Sequence, residues 1–450
     1  MVHPTELDAF FAFLVAAAAT ALLTPLTMRL ARRVGAIDEP RARGLSDRAT
    51  PLLGGLAIFA GALVAGLVWL PAGYSSKAPE LWHGVFLGAG VITLVGAFDD
   101  RYDLHPAVKL VGQLIAAIVV VHYGVAVKAI TLPFVGLLSF PNAGFTNAGP
   151  VLTVIGLVAM MNVVNFSDGV DGLAAGVCAI IAAAMAVIAF DLGRQPPGVL
   201  AAITAGAALG FLLFNFPPAS SFMGDCGANL LGLLMGVTTV EAAVKTTAVL
   251  SFVLPLILLA VPFLDTTFVV LKRLKYKQAI YRPDNEHFHH RMARIGFSSR
   301  RTIAYLYAWT LMLAGLALAL RFVPYSDHKG HLHTGWALVM LAIGLLVAAA
   351  SVYLVYVLEI LKFRRLDSLR LRRLRPEASP AEIELDVAKD LETGEFQAVS
   401  HPGDPEVQLR RDAVRGGAEQ RIGERQVDQD RISAEHERGG EQAPIAADGR

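Results

Sequence analysis

The chain has 450 residues, of which 54% are hydrophobic and only 17% are charged, with a formal net charge of +1. A soluble protein of this length could hardly carry so much apolar surface, so the composition indicates a polytopic membrane protein. The near-zero net charge gives no global basic field that would favour nucleic acid as a partner. The two cysteines, Cys178 and Cys226, support neither a disulfide framework nor a cysteine metal site.

Apolar runs along the chain predict an all-α integral membrane protein with about eleven transmembrane helices, since roughly 20 apolar residues cross a bilayer as a helix. Their approximate positions are 8–28, 53–70, 84–98, 107–122, 151–166, 172–190, 198–215, 227–242, 247–271, 302–322 and 335–361. Acidic residues precede the first run and arginines follow it, the opposite of a cleavable signal peptide. This run is therefore predicted to be a retained helix.

Lysine and arginine are concentrated in the connections after the first and ninth predicted helices, and the alternate connections carry few. The positive-inside rule then predicts an N-terminus outside and a C-terminus in the cytoplasm. The membrane domain spans 1–361, and the basic segment 362–375 could rest on anionic lipid headgroups. Residues 376–450 contain one aromatic residue, Phe396, and are too polar to bury a core, so this tail is predicted to be disordered.

The stretch MNVVNFSDGVDGLAAG (161–176) collects polar residues between two apolar runs. Asn162, Asn165, Asp168 and Asp171 follow one another at three-residue steps. Polar groups at membrane depth are costly and normally face a protein interior or a water-filled cavity, where they bind each other, a substrate or an ion. A functional site is the favoured interpretation. The alternative is a capping arrangement of Asp168 and Asp171 that starts the next helix, which leaves the asparagines unexplained.

A pair of adjacent carboxylates, Asp99 and Asp100, ends the third predicted helix. The two charges repel each other and meet the negative end of the helix dipole, so a bound cation would stabilise both. Oxygen ligands favour Mg²⁺ or Mn²⁺, which commonly take further ligands from substrate phosphates. The alternative is a solvated pair of acids beside Arg101.

Asp225 lies in FMGDCGANLLG, where flanking glycines would let the backbone approach a ligand closely. Taken alone, it is equally typical of a helix N-cap. Lys109 lies about one turn inside the fourth predicted helix. Its ammonium could contact a diphosphate or extend to the lipid headgroups, and local sequence does not decide between the two.

The segment PDNEHFHHRMARIG brings together a group of histidines and an arginine, namely His287, His289, His290 and Arg291. Their spacing matches no common zinc pattern, so recognition of phosphate and sugar is favoured.

All these acidic and histidine groups fall on the predicted cytoplasmic side of the membrane. This arrangement favours an enzyme over a cation-coupled transporter, whose site would lie near mid-membrane. A scaffold acting through the basic segment and the tail is a third alternative.

Taken in order, five segments resemble the motifs of the polyprenyl-phosphate N-acetylhexosamine-1-phosphate transferases. They are FDDRYDL with Lys109 and Gln113, NVVNFSDGVDGL, FMGDCGANLLG, PFLDT and PDNEHFHHR. The ending HFHHR resembles the branch that uses UDP-N-acetylglucosamine, whereas the peptidoglycan branch has a third histidine in place of Arg291. Two departures stand out. Ser46 occupies the place of a histidine in the first loop, and the usual GDSGS is GDCGA here.

The resemblance implies transfer of N-acetylglucosamine 1-phosphate from UDP-N-acetylglucosamine to undecaprenyl phosphate or another polyprenyl phosphate. UMP would be released, as the first membrane step of cell-wall or surface glycopolymer synthesis such as lipopolysaccharide or teichoic acid. Another UDP-N-acetylhexosamine, including UDP-N-acetylmuramoyl-pentapeptide, is the alternative donor. The implied location is the bacterial inner membrane, with the site facing the cytoplasm. The sequence distinguishes neither single from double displacement nor a monomer from a homodimer.

The resemblance also implies roles for the site residues. Catalysis is expected of Asp99, Asp100 and Asp225, and Mg²⁺ ligands are expected among Asp225, Asp99, Asp100 and Asn165. Substrate binding is expected of a larger set, comprising Lys109, Asn162, Asn165, Asp168, Asp171, His287, His289, His290 and Arg291.

Overall fold

The computed structural model describes residues 5–39, 49–70, 79–132, 136–140, 148–243, 257, 298–324, 333–356 and 379. This part of the chain forms ten helices, α1 Glu6–Val34, α2 Gly54–Trp69, α3 Pro79–Tyr102, α4 Pro106–His122, α5 Ala148–Ser167, α6 Leu173–Asp191, α7 Gln195–Asn215, α8 Gly224–Ala243, α9 Ser299–Phe322 and α10 Thr334–Tyr356. Each coincides with a predicted apolar run. The run at 247–271 apart from Ile257, the basic segment and nearly all of the tail lie outside the described residues, so the count of eleven stays a prediction.

Seven of the described helices are long and apolar enough to cross a membrane, and α2 and α4 are shorter apolar helices. The chain is thus a mostly helical, multi-pass membrane protein, as predicted. Because successive helices run in opposite directions, the ends of α3, α5 and α7 meet the starts of α4, α6 and α8 at one end of the bundle. Which side of the membrane that end faces stays a prediction.

Two small antiparallel sheets occur in the connections, and the sequence analysis did not predict them. Strand β1 (Ile37–Asp38) pairs with β2 (Thr50–Pro51), and β3 (Ala129–Leu132) pairs with β4 (Gly136–Ser139). Strands of this length are too short to show the alternation of apolar and polar residues by which a strand is predicted.

Helix α8 lies at the centre of the bundle and packs against α2, α3, α5, α6 and α7. Its side chains are buried on every face, including Leu230, Leu231, Leu233 and Leu234. An apolar helix could equally face lipid, so this burial on every face shows that other helices surround α8. Helix α8 is therefore held in place by five neighbouring helices.

Small residues let α1 and α7 approach closely. The buried face of α1 is a stripe of alanines and threonines, and α7 presents Gly206 and Gly210 against it. A methyl group at either glycine would overlap the α1 backbone, at Phe13 for one and Ala17 for the other. Association of helices in lipid depends on such close packing, because lipid tails are as apolar as the side chains.

The beginning of α8 also touches its neighbours backbone to backbone. A methyl group on Gly96 of α3 would overlap the main chain of Cys226, and one on Gly55 of α2 would overlap Gly227. The amides of Gly54 and Gly55 donate to the carbonyls of Phe222 (3.1 Å) and Met223 (2.9 Å), just before α8. The first turns of α2 and α8 therefore lie side by side, with α3 against both.

We expect Gly96→Ala to destabilise the protein by roughly 1–3 kcal/mol, because the added methyl group must displace the first turn of α8. Thermal unfolding of purified protein in detergent measures the loss. Gly156→Ala is the matched control, since Gly156 is also helical but has open space around it. Alanine stabilises a helix relative to glycine, so the melting temperature of Gly156→Ala should equal or exceed that of the wild type. Equal melting temperatures for the two variants would contradict the close contact at Gly96.

Candidate active site

The first turn of α8 is capped by a carboxylate from another helix. The backbone N–H of Asp225 donates to Asp100 Oδ1 at 2.7 Å, and that of Cys226 donates to Asp100 Oδ2 at 3.4 Å. Free N–H groups and the positive end of the dipole make a helix start a good partner for an anion. Gly224 has φ +68 and faces this carboxylate so closely that a side chain would overlap it. Asp100 thus fixes the position of Asp225, and its predicted role as a metal ligand stays a prediction.

Lys109 links two acidic residues of different helices. Its Nζ lies 2.5 Å from Asp99 Oδ2 and 3.2 Å from Asp225 Oδ2. Asp99 is only 6% exposed, and its second oxygen accepts the N–H of Leu104 at 2.8 Å. Of the two interpretations of Lys109, the structure supports the one that places it in the site rather than at the headgroups.

The two asparagines of α5 have different surroundings. Asn165 Nδ2 donates to Asp225 Oδ2 at 3.4 Å, which places Asn165 beside Lys109. Asn162 lies one turn deeper, and its Nδ2 donates to Gln113 Oε1 at 2.7 Å and to the carbonyl of Val158 at 2.8 Å. The structure thus brings Asn165 to the acidic residues and Asn162 to other amides.

Asp168 is half-buried in the connection between α5 and α6, and its carboxylate makes no hydrogen bond within the described part of the chain. Burial, followed by repulsion from Asp225, Asp100 and Asp171, raises the pKa of Asp168 to about 8. Repulsion of this kind requires nearby charges, so Asp168 lies near Asp225 and Asp100. Among the described residues, the carboxylate therefore has no positive partner.

Asp171 has a different role from its neighbour. Its Oδ2 accepts the N–H of Ala219 at 2.9 Å, and burial raises its pKa although this hydrogen bond opposes the rise. The side chain joins the 168–172 connection to the 216–223 connection. This hydrogen bond gives Asp171 a structural role, and its predicted contact with substrate stays a prediction.

Further residues hold the same two connections together, and the sequence analysis missed them. Asn215 accepts the N–H of Gly172 at 2.9 Å and donates to the carbonyl of Ser221 at 3.0 Å. From α9, Tyr307 donates to the carbonyl of Gly172, and Arg300 donates to that of Pro217 at 3.0 Å. The sequence signal that could have identified Asn215 is an asparagine at the end of an apolar run, as with Asn165 near the end of α5.

The site carries an excess of negative charge. Asp99, Asp100, Asp168 and Asp225, here called the acidic cluster, have Lys109 as their one bonded cation among the residues that the structure describes. No group of three or more His, Cys, Asp or Glu side chains able to hold a metal ion occurs in these same residues. Mg²⁺ commonly takes only one or two carboxylates, the rest of its ligands being water and phosphate. The cluster fits such an ion when a phosphorylated substrate is present.

The remaining predicted site residues, His287, His289, His290 and Arg291, lie outside the described residues, as does Ser46 of the first connection. Their predicted contacts with the sugar or phosphate of the donor stay predictions.

We expect Asp168→Asn to raise the melting temperature in metal-free buffer. The pKa of Asp168 is about 8 in the folded chain against 3.8 ordinarily. The ionised carboxylate therefore destabilises the fold increasingly as the pH rises from about 4 to about 8. The gain from the asparagine should be larger at pH 9 than at pH 5, by about 2 °C or more. Thermal unfolding at both pH values measures it. The control is Asp103→Asn, at an exposed loop carboxylate, and an equal gain at both pH values would contradict the expectation.

We expect Asn215→Leu to destabilise the protein by about 2 kcal/mol or more, because the N–H of Gly172 and the carbonyl of Ser221 would lose their buried partner. Hydrogen exchange of 168–172 and 216–223 should accelerate together. Thr204→Val is the control, since the Thr204 hydroxyl is equally buried but bonds only to the Leu200 carbonyl of its own helix. Faster exchange in one connection alone would contradict the conclusion that Asn215 holds the two connections together.

The sequence of this chain is similar to one protein family and to several known proteins. The model of Glycosyl transferase family 4 matches residues 82–243, the stretch that carries α3 to α8 and all of the acidic cluster. The chain is 34% identical to "Probable undecaprenyl-phosphate N-acetylglucosaminyl 1-phosphate transferase" of Bacillus subtilis (strain 168), over 69% of this chain and 84% of that protein.

Two further relatives carry similar names. "Decaprenyl-phosphate N-acetylglucosaminephosphotransferase" of Mycolicibacterium smegmatis is 36% identical, over 69% of this chain and 82% of that protein. "Undecaprenyl-phosphate alpha-N-acetylglucosaminyl 1-phosphate transferase" of Escherichia coli (strain K12) is 27% identical, over 71% and 85%. This chain therefore belongs to the polyprenyl-phosphate N-acetylhexosamine-1-phosphate transferases of glycosyl transferase family 4.

Proposed function

We propose that this transferase moves N-acetylglucosamine 1-phosphate from UDP-N-acetylglucosamine to a polyprenyl phosphate and releases UMP. The observation that carries the proposal is the acidic cluster with Lys109, at the helix ends of a membrane protein whose relatives are named for this transfer. A lipid phosphate lies at the membrane edge and a nucleotide sugar lies in water. A site at the end of the bundle can be reached by both.

The reaction is an in-line phosphoryl transfer. An oxygen of the lipid phosphate attacks the sugar-linked phosphorus of the donor, and a new phosphorus–oxygen bond forms. The bond between that phosphorus and the bridging oxygen breaks, and UMP leaves with the bridging oxygen. In such reactions catalysis consists mainly of positioning and of neutralising charge on the phosphate oxygens.

Lys109 supplies positive charge at a fixed place. Asp99 and Asp225 hold its Nζ from two different helices, so the ammonium has little freedom to move away from the site. Its third N–H can donate to a diphosphate oxygen of the donor. Asp100 contributes indirectly, because it keeps the first turn of α8 and hence Asp225 in position.

Mg²⁺, or Mn²⁺ in its place, is the proposed cofactor. Asp225 and Asp168 are the residues that would hold it. Asp168 lacks a partner in the described chain, and the hydrogen bonds of Asp225 to Lys109 and Asn165 engage only its Oδ2. Both oxygens of Asp99 and of Asp100, in contrast, are engaged. When bound, the ion would neutralise the diphosphate oxygens of the donor. Asn165 lies beside Asp225 and would orient that carboxylate toward the substrate.

The proposed setting follows from the distribution of charge in the sequence. The positive-inside rule puts the site in the cytoplasm, where UDP-sugars are available, and bacterial relatives favour the inner membrane. The acidic cluster lies at the ends of the helices, which argues against a cation transporter with a mid-membrane site. Another UDP-N-acetylhexosamine remains the alternative donor, because the residues predicted to contact the sugar, 287–291, lie outside the described residues.

The test is transfer of labelled sugar phosphate from UDP-N-acetylglucosamine to undecaprenyl phosphate by the purified full chain. We expect Mg²⁺-dependent lipid product from the wild type and at least a 100-fold loss in Asp225→Asn and Lys109→Gln, because each removes a charge that positions the diphosphate. Asp103→Asn is the matched control and should retain activity. Since the described residues offer few metal ligands, we expect Mg²⁺ to bind weakly alone and more tightly with the donor present, which calorimetry measures.

Two results would contradict the proposal. If EDTA leaves the transfer unchanged, the reaction needs no Mg²⁺ and the proposed cofactor is wrong. An absence of product from folded wild-type protein would reject this donor, and screening other UDP-N-acetylhexosamines would then separate a different donor from a different activity.

A further inference from the structure

Below the acidic cluster lies a second polar layer that the proposed reaction does not use. It consists of the side chains of Gln113 on α4, Asn162 on α5 and Asn229 on α8, here called the amide layer. Gln113 is 3% exposed and Asn229 is 4% exposed. Amides this deeply buried among apolar helices are costly unless each hydrogen-bonding group has a partner.

The amide layer forms one continuous chain of hydrogen bonds. Asn162 Nδ2 donates to Gln113 Oε1 at 2.7 Å, and Gln113 Nε2 donates to Asn229 Oδ1 at 2.8 Å. Asn229 Nδ2 then donates to the backbone carbonyl of Asp225 at 2.8 Å. The chain starts in α5, crosses α4 and ends on the main chain of the residue at the centre of the site.

Each amide lies one helical turn below a site residue on the same helix. Gln113 follows Lys109 by four positions, Asn229 follows Asp225 by four, and Asn162 precedes Asn165 by three. Residues at these spacings share a helix face. The three helices therefore meet twice, once through Lys109, Asp225 and Asn165 and once through the amide layer.

We propose that Gln113, Asn162 and Asn229 are positioning residues that set the rotation and height of α4, α5 and α8, so that Lys109 and Asn165 both reach Asp225 Oδ2. The effect on the reaction rests on the proposed function. The effect on the position of the helices does not. This assignment differs from the sequence prediction for Asn162, which made it a substrate-binding residue.

The amide chain suits this task because it has a direction. An amide offers a donor at one end and an acceptor at the other, and a rotation of any of the three helices would place donor against donor or remove a bond. Apolar side chains could fill the same space but would tolerate such a rotation. Buried polar groups fix the relative register of helices in this way in other proteins.

The experiment compares Gln113→Met, Asn229→Leu and the double variant in the purified full chain. We expect kcat to fall about 10- to 100-fold, with KM for donor and lipid changed less than about threefold, because misplacement of catalytic groups by about 1 Å costs rate more than binding. The double variant should lose no more than the worse single variant, since each breaks the same chain. Thr238→Val is the control, because Thr238 is buried on α8 and bonds only within its helix, to the carbonyl of Leu234.

Hydrogen exchange provides the readout that does not depend on activity. The amides of residues 225–229 should exchange faster in Gln113→Met than in the wild type or in Thr238→Val. This measurement decides the positioning role even if the wild type transfers nothing from UDP-N-acetylglucosamine, which would count against the proposed function alone.

Two outcomes would overturn the proposal. A lower melting temperature with wild-type kcat per folded molecule and unchanged exchange at 225–229 would make the amide layer a purely structural element. A large rise in KM at constant kcat, strongest in an Asn162→Leu variant, would make Asn162 a substrate-binding residue as the sequence predicted.

Discussion

The capping of α8 by Asp100 is the interaction on which the rest of the site depends. It joins the end of α3 to the start of α8, and Asp225 is the first residue whose amide it holds. Because α8 is enclosed by five helices, it cannot shift as a whole without displacing them. Glycines at 55, 96 and 224 leave the space in which this contact forms. Lys109 and Asn165 are then placed relative to a fixed carboxylate.

The acidic cluster makes the site a source of instability as well as of chemistry. In the described part of the chain, several carboxylates share one ammonium, and Asp168 is half-buried among like charges. A sequence selected for stability alone would neutralise Asp168, as the rise in its pKa indicates. Active sites commonly retain such unfavourable arrangements because the substrate complex relieves them. The hydrogen bonds from Asn215 and Tyr307 hold the connection that carries Asp168 in place against this repulsion.

The sequence predicted the features that depend on one helix at a time. Apolar runs located ten helices correctly, and alternation of helix direction brought Asp99, Lys109 and Asp225 to one end of the bundle. Side-chain contacts between two helices could not be predicted from the sequence. Spacing put Asn162 and Asn165 on one face, but it could not tell that Asn162 would meet Gln113 instead of an acid. Likewise, nothing local indicates that Asp100 caps a neighbouring helix, and its predicted metal binding stays a prediction.

Energetics explains why the amide layer is better understood as a positioning device than as a source of stability. Hydrogen bonds between helices in a membrane contribute about 0.6 kcal/mol each on average. The two interhelical bonds from Asn162 to Gln113 and from Gln113 to Asn229 therefore add only about 1 kcal/mol, which apolar packing of similar volume could supply. Apolar packing would not select one rotation of α4 and α5 about α8. A reaction that relies on charges placed within a few tenths of an ångström needs that selection more than it needs the added stability.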